Sequence, residues 1–115
     1  MKKISKLDEY LFDLNGYLII NNALNKKELK DLNNILDKLK NIKNDEWAGY
    51  VHGHNYGGKE GLNLQQIYEA GKPFEKLIDH PSWINHMLHF VGGKDTFDQH
   101  HGPLFIDENF ANIRG

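Results

Sequence analysis

The stretch Phe12-Asp13-Leu14-Asn15-Gly16-Tyr17-Leu18-Ile19-Ile20-Asn21-Asn22-Ala23-Leu24-Asn25-Lys26-Lys27-Glu28-Leu29 decides the fold class. It holds the end of one helix, a turn, an apolar run and the start of a second helix. Upstream, Leu7, Leu11 and Leu14 repeat at spacings of four and three with Tyr10 adjoining, which predicts a short helix over 6–14. Asn15-Gly16 stops it, because both residues tolerate positive φ. The continuous apolar run at 17–21 predicts a strand buried on both faces. Asn25 can cap the next helix, and Glu28 stands three residues later at capping-box spacing. Leu29, Leu32, Leu36 and Leu39, widened by Ile35 and Ile42, predict an amphipathic helix over 26–42 that packs on its own domain.

Further along, residues 44–61 hold Gly49, Gly53, Gly57, Gly58 and Gly61 among His, Trp and Tyr, which reads as a long irregular loop. Leu62 and Leu64 alternate with Asn63, Gln65 and Ile67, predicting a strand over 62–68. Pro73 opens a short helix over 72–79. After the break at His80-Pro81-Ser82, a second helix turns Ile84, Met87, Leu88 and Val91 inward and ends at Gly92-Gly93. Residues 95–103 form a polar turn, and 104–114 a final strand. The expected class is α+β, with three strands. Three strands neither close a barrel nor make two facing sheets, and the last would stand unpaired as an edge. That count predicts an incomplete domain, the amino-terminal part of a longer one. A complete small α+β domain is the other reading.

Composition narrows the function. Hydrophobic residues at 39% and charged residues at 26% suit a folded domain. The formal charge of −2 offers no basic excess for phosphates, so nucleic acid is not an expected partner. No apolar run approaches membrane-spanning length, and Lys2 and Lys3 precede no signal core, so a cytoplasmic chain without a membrane partner is expected. The absence of Cys excludes disulfides and thiolate chemistry.

Several clusters invite sharper readings. His52-Gly53-His54 sets two imidazoles on one side of an extended segment and, with His100 and His101, could be a metal site, but no carboxylate sits at ligand spacing. Solvated loop histidines are the simpler account. His86 and His89 share a helix face, as residues at an amphipathic boundary with one nitrogen wet do. Gly57-Gly58-Lys59-Glu60-Gly61 lacks the Ser or Thr of a phosphate loop. No Ser or Thr has a nucleophile context. Trp47, Tyr50 and Tyr56 could stack on a ligand, though pinning the loop to the core is the favoured role. Asp107 and Glu108, adjacent on a strand, would face opposite ways and make no acid/base dyad.

The opening stretch resembles the start of the phytanoyl-CoA dioxygenase family, with its short helix, Phe-x-x-x-Gly-Tyr strand and helix start ending in Glu-Leu. The resemblance continues at Phe74-Glu75-Lys76-Leu77-Ile78-Asp79-His80-Pro81, at Val91-Gly92-Gly93 and over Phe105 to the chain end. It implies the amino-terminal helices and first strands of a double-stranded β-helix, or jelly roll, that uses Fe(II) and 2-oxoglutarate to hydroxylate a small organic substrate. It places polar co-substrate contacts near Asn63 and Gln65, and near Phe110 and Asn112. The family's iron is held by His-x-Asp and a distant His. None of the seven His here has a carboxylate two residues later. The resemblance therefore assigns this chain no catalytic residue and no metal ligand, and implies that the triad follows it. A small binding module without catalysis is the alternative.

Overall fold

The computed structural model describes residues 2–55, 61–92, 100 and 102–114. In chain order the elements are α1 (Lys6–Asn15), α2 (Lys26–Leu39), β1 (Trp47–Ala48), β2 (Val51–Asn55), β3 (Leu62–Gln65), a 3-10 helix (Ile67–Ala70), α3 (Lys72–Glu75), α4 (Ile84–Phe90) and β4 (Phe110–Ile113). The fold is mixed α and β. The four strands among the described residues form one antiparallel sheet in the order β1-β2-β3-β4. Among the described residues no helix is long and apolar enough to cross a membrane. The chain divides into two compact units, Met1–Leu24 with Asp79–Phe105, and Asn25–Ile78 with Ile106–Gly115.

In the first unit, α1 starts at a reciprocal capping box. Ser5 N–H donates to Asp8 Oδ2 at 2.9 Å, and Asp8 N–H donates to Ser5 Oγ at 3.0 Å. The helix stops where Gly16 takes φ 75° and its N–H donates to the Phe12 carbonyl. Of the predicted stripe of Leu7, Leu11 and Leu14 with Tyr10, only Leu11 is half-buried, joined by Phe12, while Leu7, Tyr10 and Leu14 are exposed. Phe12 stacks on Phe90 of α4 with ring centroids 4.2 Å apart. The strand expected at 17–21 does not form. Among the described residues that segment has no partner strand, and Tyr17 and Ile19 stay exposed while Leu18 and Ile20 are half-buried. A run of apolar residues alone supplies no ladder. In α4, Ile84 is half-buried as expected, but Met87 and Leu88, and Val91 just past the helix, are exposed, whereas His86 is buried.

Among the described residues, the buried apolar side chains, Leu32, Val51, Leu64, Ile67 and Phe74, all belong to the second unit. Asn25 Oδ1 accepts from Glu28 N–H at 2.8 Å, and Glu28 Oε1 accepts from Asn25 N–H at 3.4 Å, so α2 begins as expected. It ends at Leu39, three residues short of the predicted limit. The expected loop at 44–61 contains a hairpin instead. Ala48 pairs with Val51, leaving Gly49-Tyr50 as a two-residue turn, with Gly49 at φ 61° where a hairpin turn demands positive φ. Trp47 and Tyr50 are exposed and do not pin this segment to a core. The strand predicted over 62–68 ends at Gln65, because Gln66 turns left-handed, φ 61°, and starts the 3-10 helix that buries Ile67. The final strand is confined to 110–113. Tyr56, the Gly57-Gly58-Lys59-Glu60 segment, His101 and most of the turn expected at 95–103 lie outside the described residues.

Candidate functional site

Strand alternation puts Asn63 and Gln65 on one face of β3, and Phe110 and Asn112 on one face of β4. The register pairs Asn63 with Asn112 and Gln65 with Phe110. All four residues singled out in the sequence thus share a sheet face. β2 sets His54 beside Asn63 and His52 beside Gln65, and β1 sets Trp47 beside His52. Two rows result, His54–Asn63–Asn112 and Trp47–His52–Gln65–Phe110. The opposite face is apolar: Val51 and Gly53 of β2 stand with Leu64 of β3 and Ala111 of β4. Gly53 is needed there, since a Cβ would come within 2.9 Å of the Lys43 carbonyl and 3.0 Å of Ile42 Cδ1.

An open groove of about 740 Å³ lies over the polar face, lined by the four residues together with Gln66 and Asn109. Asn109 is tied down at both ends of its residue. Its carbonyl accepts from Gln66 N–H at 3.0 Å, and its Oδ1 accepts from Tyr68 N–H at 3.1 Å. This fixes the segment before β4, where Asp107 and Glu108 also line the groove. They precede the strand rather than lie in it, so the strand rule that would part them does not apply. Arg114, the chain's sole arginine, lines the groove past β4, and its Nε donates to Asn112 Oδ1 at 2.8 Å. Asn63 is 8% exposed, and its Oδ1 is buried without a hydrogen-bond partner among the described residues. An acceptor left in that state is costly unless something donates to it.

His52 is held on two sides. Its Nε2 lies 2.9 Å from Asp45 Oδ1, and its Nδ1 lies 3.5 Å from Gln65 Oε1. Trp47 covers it with ring centroids 4.6 Å apart, and the His54 ring lies 6.1 Å away. Asp45 reaches His52 from a left-handed conformation, φ 65°. His52 and His54 do share one side, but among the described residues no three His, Asp or Glu side chains gather as metal ligands do.

In the first unit, Asp8 links its cap to α4. Its Oδ2 lies 3.6 Å from His86 Nε2, and Glu9 Oε1 lies 3.0 Å from His89 Nε2. The Ser5 backbone N–H holds the Asp8 carboxyl below the usual carboxylate range; burial opposes this, and the Ser5 hydroxyl and His86 reinforce it. His86 is 5% exposed with Nδ1 unpartnered among the described residues, so it is more enclosed than a boundary histidine.

Sequence reading missed Asp45, Gln66, Asn109 and Arg114 at this site. The period-two pattern Asn112, Arg114 beside Asn63, Gln65 was a usable signal. The Asp45–His52 pair was not visible without the hairpin register. No family model, no curated protein and no solved structure matches the chain.

Proposed function

We propose that the chain is the amino-terminal part of an Fe(II)/2-oxoglutarate-dependent oxygenase of the phytanoyl-CoA dioxygenase kind, its sheet forming the first strands of a jelly roll. In the intact protein, iron and 2-oxoglutarate would supply the oxidising chemistry that hydroxylates a small organic substrate. The observation that carries the proposal is the gathering of Asn63, Gln65, Phe110 and Asn112 on one face over an open groove. A jelly roll turns one face of each strand to its ligand, and amides there orient a small molecule.

The described side chains do not themselves fit an iron centre, because no three ligating groups converge. No catalytic step is assigned to them; their part is to bind and orient. The second reading, a small binding module, is favoured by the groove being built within one unit from the chain's own residues. The coding sequence beyond residue 115 separates the two. The oxygenase reading expects His-x-Asp or His-x-Glu within a few tens of residues, and succinate release from 2-oxoglutarate by the longer protein with Fe(II). A continuing sequence without that motif overturns it.

A further inference from the structure

We infer that the groove over the polar sheet face takes a neutral, hydroxyl-rich small molecule, a sugar or polyol, as the substrate of the intact protein, so that the four residues expected to touch the dicarboxylate co-substrate would serve the substrate instead. The inference rests on reading the groove as a small-molecule site, and it names the class of molecule held there.

The lining is dominated by amides: Asn63, Gln65, Gln66, Asn109 and Asn112. A side-chain amide presents a donor and an acceptor side by side, and a hydroxyl group both donates and accepts, so vicinal hydroxyls match it in both directions; the Asn109 and Asn112 oxygens already accept from Tyr68 N–H and Arg114 Nε, and these two amides would meet an occupant chiefly as donors. The buried Asn63 Oδ1 adds a specific demand. It is a buried acceptor without a partner among the described residues, so an occupant whose donor reaches it from the groove would relieve the cost of leaving it unpaired. The ionised carboxylates of a dicarboxylate are acceptors only, and so is a fully ionised phosphate.

Charge points the same way. Among the described residues, Asp107 and Glu108 line the groove against one cation, Arg114, whose Nε is already given to Asn112. A dianion would meet a lining of net negative charge. An ammonium compound would suit the two acids but would not use the amide donors. Phe110, 52% exposed and opposite Gln65, offers a flat apolar face for the C–H side of a sugar ring.

The test is a titration of the 115-residue protein followed through its side-chain amide signals by nuclear magnetic resonance. The probes are glucose, sucrose and myo-inositol, set against 2-oxoglutarate, inorganic phosphate and putrescine. At least one of the first three should shift the Asn63 and Asn112 amides saturably. Asn112→Ala, at an exposed strand position, should weaken that binding about tenfold, the order of one lost hydrogen bond. Asp107→Ala, on the exposed segment before the strand, should weaken it in the same sense. If none of the six probes shifts these signals, the buried oxygen serves water alone and the inference falls. It falls too if 2-oxoglutarate, phosphate or putrescine shifts them and no polyol does; a response to 2-oxoglutarate would still leave the oxygenase reading standing. Conversely, polyol binding in a protein whose longer sequence lacks His-x-Asp or His-x-Glu would retain this inference and remove that reading.

Discussion

Asp8 does two jobs with one carboxylate. It closes the cap of α1 by accepting from Ser5 N–H, and it faces His86 of α4. Because its folded pKa is depressed, its stabilisation is complete above the unfolded carboxylate range, near about pH 3.9. That contribution drains away as pH falls through the lower folded value. Asp8→Asn keeps an acceptor oxygen but removes the charge. Urea midpoints followed by circular dichroism should therefore differ between the two proteins at neutral pH and converge in acid. A gap of constant size at every pH would show that the charge adds nothing.

At the scale of elements, the polar face depends on the β3–β4 pairing, and Gly61 guards its end. Gly61 sits at φ 77°, immediately before β3, and a Cβ there would run into the Ile113 carbonyl of β4. Gly49 has a similar backbone, φ 61°, with open space where its Cβ would be. The left-handed strain on an alanine is about 1–2 kcal/mol at either position. Only Gly61→Ala adds a collision, so it should lower the urea unfolding free energy by more than Gly49→Ala does. Equal losses would mean that β4 yields freely at that point. These strands also mark the limit of sequence reading. The α2 cap was legible, because Asn25 and Glu28 act on their own neighbours. The β1–β2 hairpin was not, because glycines and histidines masked the alternation of Val51 and Gly53 with His52 and His54. The 17–21 run was misread because a strand exists only where another lies beside it. The four groove residues could be picked out singly, whereas their shared face needed the register.

For the whole molecule, burial is uneven. Every buried apolar side chain among the described residues belongs to the second unit, while α1 and α4 contain none. Local opening costs least where few apolar contacts must break. Amide hydrogen exchange should therefore be slowest at Gly53 and Leu64, and faster by orders of magnitude along α1 and α4. Uniform protection across both sets of elements would contradict that distribution. The sheet, finally, is asymmetric at its margins. β1, two residues long, gives an approaching chain almost nothing to hold, whereas the outer side of β4 has no described strand beside it. Among the described strands, β4 therefore offers the longer open edge. A fifth strand added there, from this polypeptide or another, would run along Phe110–Ile113 and bring its own side chains up to the rim where Asn112 and Arg114 stand.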